Sequence, residues 1–250
     1  MNQQQIPSKI LLIGDGCYDE YCYGTVNRLN PAPVPVLDWD TTIRKLGMAG
    51  NVLQNLQALG LDCHYDILYK ETKKRYIDSK TGQQIVRVDI PLAEEEHEEH
   101  RLHKFNDYDA IVISDYNKGY VSTFTIESIL ESFGGPVFID TKKQDLKLFN
   151  GAFVKINQYE YENRISDADN MIVTFGSEKV VYKEKLYLPP KVDAHDVCGA
   201  GDTFLAALVY SWLQKPNMPE AIKFAMKAAA VTVQHVGVYA PRLEEIHNAT

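Results

Sequence analysis

The sequence predicts an α/β protein: a doubly wound, mostly parallel sheet flanked by helices, with a small β lid. Apolar runs of strand length at 10–13, 110–114 and 136–140 alternate with segments of helical spacing, the pattern that builds a parallel sheet with helices on both faces. Polar residues follow these runs: Asp15 and Asp19, Ser114 and Asp115, Asp140, and Asn157 with Glu160 after a further run at 152–156. They mark the edge where open parallel sheets bind ligands. The segments 21–45 and 72–90 break the alternation and read as extended, so they are expected to form the lid; plain loop excursions are the simpler alternative.

Each element has its own signal. The first strand ends at Gly14-Asp15-Gly16, a turn. Pro31, Pro33 and Pro35 place the next segment at a sheet edge, where proline is tolerated. Val52, Leu53, Leu56 and Leu59 give a helix over 50–59 that stops at Gly60. Residues 75–89 read as a hairpin turning at 79–82, and 94–105 as a charged helix. Strands are expected at 152–156 and 171–174, a hairpin at 179–187, and helices at 203–214 and 219–235. No repeat or low-complexity segment divides the 250 residues, so 1–250 is expected to be one domain.

Composition narrows the function. A net charge of -8 argues against nucleic-acid and anionic-membrane partners. Cys17, Cys22, Cys63 and Cys198 follow no zinc or disulfide-framework spacing. No apolar run approaches the roughly 20 residues of a spanning helix, and the first residues are polar. A soluble, cytoplasmic protein is expected. His97, His100 and His103 lie among glutamates, but i+6 is too far round a helix for a tight zinc tripod; a solvated helix face accounts for them.

The most informative stretch is Asp196-Val197-Cys198-Gly199-Ala200-Gly201-Asp202-Thr203-Phe204. A glycine-bearing turn leads into an apolar helix, and the N–H groups of such a turn form an anion site backed by the helix dipole. Asp202 places a carboxylate where an anion should bind, which fits a group that takes a proton from an attacking hydroxyl. A capped tight turn would give the same local pattern.

The chain resembles the ribokinase-type (PfkB) carbohydrate kinases, and among them the D-glycero-β-D-manno-heptose 7-phosphate kinases. The resemblance runs nearly end to end: 14–21, the lid segments 28–31 and 32–36, Gly47-Met48-Ala49-Gly50-Asn51-Val52, Ser114-Asp115-Tyr116-Asn117-Lys118-Gly119, Asp140-Thr141-Lys142, Asn157-Gln158-Tyr159-Glu160 and 196–202. It implies a ribokinase-like fold and phosphorylation of the C1 hydroxyl of a heptose 7-phosphate, using ATP and Mg²⁺. It also implies roles. Asp202 is the base, and the N–H groups of 198–201, with Gly199, Ala200 and Gly201, are the anion hole. Asp19, Asn51 and Gly47 face the sugar. Asn157 and Glu160 organise Mg²⁺ through water, although the same pair is also a capping-box variant. Lys142, Thr174 and Gly176 face the nucleotide, Ala228, Val231 and Gly237 border adenine, and Asp196 matches a position linked to a monovalent cation such as K⁺. For a sugar phosphate, Arg28, Lys74, Arg75 and Arg87 on the lid are the candidate cations. A homodimer through the lid is the assembly the resemblance implies.

Departures are visible too. Met48 stands where the first signature has a second glycine, Lys179 replaces a glycine after Thr174-Phe175-Gly176, and Lys227 replaces a small polar residue. A helix and strand are missing between 60 and 72, and a helix after Glu160. These keep two alternatives open: a related kinase for another sugar or sugar phosphate, and a degenerate protein that binds sugar or nucleotide without turnover.

Overall fold

Strand β1 (Lys9–Leu29) organises the molecule; the structure is a computed structural model that describes residues 8–29, 34–92 and 105–249. After β1 come β2 (Pro35–Met48), helix α1 (Ala49–Ala58), β3 (Asp62–Asp78) and β4 (Gln84–Pro91). Then follow β5 (Ala110–Asp115), α2 (Thr123–Ser132), β6 (Val137–Thr141), β7 (Phe153–Asn157) and the short α3 (Gln158–Glu162). The chain continues through β8 (Asn170–Phe175), β9 (Lys179–Tyr182), β10 (Lys185–Tyr187), α4 (Ala200–Gln214), α5 (Met218–Thr232) and α6 (Leu243–Asn248).

The sheet order is β10-β9-β8-β7-β6-β5-β1-β3-β4, with β2 also paired to β1. From β3 to β8 the core pairings are parallel, while β9, β10, β4 and β2 add antiparallel edges. Residues 10–14 of β1 pair with β5. Beyond them β1 leaves β5 and takes β2 on that side, from Gly16 opposite Met48 to Leu29 opposite Pro35. On its other side β3 accompanies it from Lys9 to Gly24. One continuous strand thus serves the core and a projecting four-stranded sheet, β2-β1-β3-β4.

Both faces of the core sheet are covered. Ile10 and Leu12 of β1 point into one apolar cluster, shared with α1, α4, α5 and α6. Leu11 and Ile13 point into the other, shared with α2. Alternate residues of a strand face opposite sides, so a run apolar at every position must be buried twice.

The α/β architecture expected from the sequence is present, but several elements differ. The first strand does not turn at Gly14-Asp15-Gly16; it continues to Leu29, because β2 and β3 pair with it beyond that point. Helix α6 was not expected. The stretch 60–72, read as lacking a strand, contains the first half of β3. Its composition, Asp62-Cys63-His64-Tyr65-Asp66, hides it, because this near-edge strand is only partly buried. Helix α2 was also passed over: it buries only Ile126 and Ile129, and its signal is the Ser122 cap, whose hydroxyl accepts from Thr125 N–H at 3.0 Å. The expected helix at 94–105 and its three histidines lie outside the described residues, apart from Phe105, which opens a 3₁₀ turn. Among the described residues no helix is long and apolar enough to cross a membrane.

Candidate active site

Helix α4 starts abruptly at Gly199, whose φ of 78° is left-handed. A side chain there would be strained, and its Cβ would lie 2.7 Å from Asn51 Nδ2, so glycine is required twice over. The following residues form a helix first turn, whose N–H groups lack intrahelical partners and carry the positive end of the dipole. Asp202 sits in that turn and is 6% exposed. Asn51 Nδ2 donates to its Oδ2 and the Tyr116 hydroxyl to its Oδ1, both at 2.8 Å. Burial pushes the Asp202 carboxyl up to about 6. The Asn51 hydrogen bond opposes this most, Asp140 adds to the rise, and Tyr116 and Lys155 pull back.

Asn51 is held in turn. Asn55, one turn along α1, donates to Asn51 O at 2.8 Å and accepts from Thr203 Oγ1 at 2.9 Å. This i, i+4 asparagine pair makes a polar seam between α1 and α4 inside an apolar contact.

In front of Asp202 lies a cavity of about 140 Å³, walled by Asp19, Gly47, Met48, Lys73, Arg75 and Tyr116 among others. Asp19 is buried and ion-paired to Arg75 of β3. A Cβ on Gly47 would fall 2.2 Å from Asp19 Oδ2, so only glycine lets the carboxylate stand there. Met48 caps α1 at φ 55°, ψ −130°, a conformation that glycine adopts easily and methionine does not.

On the other side of Asp202 stands a charged cluster. Lys155 of β7 reaches Asp140 Oδ2 at 2.6 Å, and a Cβ on Gly201 would meet the same amine at 3.0 Å. The ammonium therefore overhangs the start of α4. Lys142 pairs with Glu160 and lies 4.0 Å from Asp140 Oδ1; burial lowers its pKa, but Asp140 and Glu160 outweigh that and raise it. Asn157 and Glu160 form the reciprocal capping box of α3, with Asn157 N–H donating to Glu160 Oε2 at 2.7 Å and Glu160 N–H to Asn157 Oδ1 at 3.0 Å. Asp140 Oδ1 is buried without a hydrogen-bond partner.

Residues 153–246 match the family described as pfkB family carbohydrate kinase. The chain is similar to the bifunctional protein HldE of a Nitratiruptor species, with 31% identity over 296 aligned positions covering 95% of this chain and 64% of that protein. It is equally similar to the HldE of Helicobacter acinonychis (strain Sheeba), at 31% identity, 95% of this chain and 65% of that protein. The chain thus spans slightly under two thirds of these relatives' length. The alignment is longer than the chain itself, so the relatives have internal residues that it lacks. Among solved structures, phosphofructokinase-2 from Escherichia coli in complex with potassium superposes with a TM-score of 0.75 at 15% identity, over 98% of each chain. Ribokinase from Thermotoga maritima gives 0.71 at 17%, over 96% of this chain and 98% of that one. These two likenesses show the fold.

Around the start of α4, the structure brings Asp19, Gly47, Asn51 and 199–202 together, with Lys142, Asn157 and Glu160 adjoining. Of the expected lid cations Arg75 lines the cavity, whereas Arg28, Lys74 and Arg87 do not, nor do Thr174, Gly176, Ala228, Val231 and Gly237. Arg28 is exposed near the end of β1. Lys74 points to the opposite lid face and pairs with Glu20 at 3.1 Å, while Arg87 pairs with Asp89 at 2.8 Å on the exposed edge strand. Because lid side chains alternate, Lys73 rather than Lys74 lines the cavity, together with Arg75. Thr174 donates to Ile156 O at 3.3 Å, and Gly176 occupies the β8–β9 turn at φ 54°. Ala228 is fully buried in the core and Val231 nearly so. Gly237 lies away from them: a Cβ there would sit 3.6 Å from Tyr21 OH and 3.7 Å from Lys45 Nζ, against the lid. Asp196 joins that loop to the α4 turn, accepting from Cys198 N–H at 2.9 Å and Gly237 N–H at 2.8 Å. Burial raises its carboxyl, and these donors more than reverse the rise.

Sequence reasoning gave no role to Tyr116 or Lys155. Tyr116 lies in Ser114-Asp115-Tyr116-Asn117-Lys118-Gly119, and only its contact with Asp202 marks it out. Lys155 had a usable signal, a lone lysine in the apolar strand Phe153-Val154-Lys155-Ile156, since a buried lysine needs an anionic partner.

Proposed function

We propose that the chain is an ATP-dependent sugar kinase that phosphorylates the C1 hydroxyl of a heptose 7-phosphate, with Asp202 as the general base. The observation that carries this reading is the buried Asp202 carboxylate in the first turn of α4, between a polar cavity and a helix N-terminus. The sugar hydroxyl is held at the cavity floor. Its oxygen bonds to the γ-phosphorus, the bond from that phosphorus to the β–γ bridging oxygen breaks, and ADP leaves. The hydroxyl proton passes to an Asp202 oxygen. The N–H groups at 199–201 and the overhanging Lys155 ammonium face the place where the phosphoryl charge would spread.

Mg²⁺ fits the residues present, through Asp140 and Glu160 with Asn157 beside them. Asp140 Oδ1 has lone pairs free, and a hard cation accepts carboxylate and water oxygens together. When bound, the ion neutralises phosphate charge. For the substrate phosphate, Lys73 joins Arg75 at the cavity wall in place of Arg28, Lys74 and Arg87 as the candidate cations, and Asp19 takes sugar hydroxyls. The heptose is favoured by the motif resemblance and by similarity to the HldE proteins; a related sugar or sugar phosphate is the second reading, because Met48 narrows the cavity. A lid-mediated homodimer agrees with the exposed Trp39, Ile43, Val86, Val88 and Ile90 on the projecting sheet.

The test is ADP release with Mg-ATP across a panel of sugars and sugar phosphates, with Asp202→Asn as control. Turnover on heptose 7-phosphate alone, lowered by ~10²-fold or more in the control, supports the proposal. Turnover on another sugar moves the substrate. ATP binding with no turnover on any sugar leaves a binding protein and ends the kinase reading.

A further inference from the structure

We propose that Tyr116 is a positioning residue that orients the Asp202 carboxylate toward the sugar, its phenol acting as a fixed donor on Oδ1. The proposal rests on the reading of Asp202 as the base and deepens it.

The loop that delivers Tyr116 is determined from several directions. Asp15, fully buried at the end of the core part of β1, accepts the N–H groups of Tyr116 at 2.9 Å, Lys118 at 3.1 Å and Tyr120 at 3.2 Å. Asp115 accepts Asn117 N–H at 2.9 Å, Thr141 Oγ1–H at 2.6 Å and the Lys143 ammonium at 2.5 Å. Two buried carboxylates therefore fix a loop of a few residues, and burial of Asp15 raises its pKa despite the three backbone donors. The purpose of so much order is visible at one atom. The Tyr116 hydroxyl lies 2.8 Å from Asp202 Oδ1, and its ring forms part of the cavity wall.

The direction of the proton follows from the surroundings. Burial and the Asp202 charge push the Tyr116 phenol well above its ordinary value, so it keeps its proton and stands as a donor to the carboxylate. Each carboxylate oxygen has two lone-pair sites. With Asn51 on Oδ2 and Tyr116 on Oδ1, the carboxylate cannot rotate, and its unused lone pairs remain for a substrate hydroxyl. The groups facing Asp202 are Asn51 from α1, Tyr116 from the loop after β5, Asp140 and Lys142 at the end of β6 and Lys155 from β7, with Asp19, Lys73 and Arg75 across the cavity. Of the two donors on the carboxylate, Tyr116 comes from the cavity wall itself.

The test is Tyr116→Phe, which deletes one oxygen and leaves the ring. In protein labelled with ¹³C-carboxyl aspartate, and with Asp202→Asn to identify the resonance, the Asp202 titration midpoint is expected to rise by about 1–2 pH units, since a hydrogen bond to a charged group contributes about 1.5–3 kcal/mol. The acid limb of the kcat profile should move up with it, so the loss in kcat is greater at pH 6 than at pH 8, while the ATP Kd stays unchanged. An unmoved Asp202 midpoint in folded Tyr116→Phe overturns the proposal. So does a uniform kcat loss at every pH. The titration needs no substrate. If wild-type protein turns over no sugar but the midpoint still moves, the base reading fails by itself and the Tyr116–Asp202 coupling stands.

Discussion

The Lys155 ammonium and the Asp140 carboxylate form a buried ion pair, 2.6 Å apart, with side chains 5% and 6% exposed. A pair this deep has lost most of its hydration, and its attraction mainly offsets that loss. Removing one partner is therefore far worse than removing both. Lys155→Met is expected to cost about 3–5 kcal/mol in urea unfolding, and Lys155→Met combined with Asp140→Asn should regain most of it without regaining turnover. Additive losses in the double variant would show that the two charges are not coupled.

Asp202 makes stability depend on pH. Its carboxyl is raised from 3.8 to about 6 in the fold, first by burial, so the native state holds the proton more tightly than the unfolded chain. The stability this contributes is complete below about pH 4 and is lost as pH rises through about 6. Asp15, also raised by burial, acts with the same sign. Asp202→Asn removes the titration, so its stability relative to wild type should climb between pH 4 and pH 7 by up to about 3 kcal/mol. Urea midpoints across that range measure it, and a difference that does not vary with pH would refute it. Activity runs the other way, because the base must be ionised, and kcat should rise through about pH 6.

Met48 offers a reversal of the ordinary order of substitutions. Its backbone, at φ 55° and ψ −130°, suits glycine, while its side chain is buried against the cavity. Met48→Ala loses the side chain and keeps the strain, and should cost about 2–5 kcal/mol. Met48→Gly loses the same contacts but relieves about 1–3 kcal/mol of strain, so it should be the more stable of the two. Thermal melts of both variants decide this. The glycine variant also has a wider cavity and should accept bulkier sugars.

The lid cations separate by position. Arg75→Ala should raise the KM for a sugar phosphate about 10–100-fold, the value of a charge-assisted hydrogen bond, and leave the KM for ATP alone. Arg28→Ala, altering an exposed residue away from the cavity, should stay within about twofold, the scale of exposed surface changes. Matching effects of the two variants would remove Arg75 from the phosphate site.

What the sequence disclosed was mostly local. The α4 turn is legible because Gly199, Ala200, Gly201 and Asp202 are contiguous, and the core strands because they are apolar at nearly every position. The groups that complete the site come from distant elements: Asn51 is 151 residues from Asp202, and Tyr116 is 86. Spacing along the chain says nothing about such meetings. The alternation along β3 could have separated Lys73 and Arg75 from Lys74, but the face that matters depends on the register with β1, which the bulge at Gly16/Cys17 shifts. Met48 was recognisable as an unusual residue at a glycine position; its backbone angles became visible only in three dimensions.

Strands β1 and β3 have a mechanical consequence. Both pass from the core into the projecting sheet without a break, side by side from Lys9 opposite Asp62 to Gly24 opposite Asp78. A lid attached by loops swings freely, whereas one continuous with two core strands moves only as those strands flex. The bulge at Gly16/Cys17 is the one irregularity in that pairing, one step from where Asp15 grips the Tyr116 loop and two from Asp19. The projecting sheet is thus anchored in the hydrophobic core through two unbroken strands, and the register shift at Gly16/Cys17 lies beside residues that line the cavity.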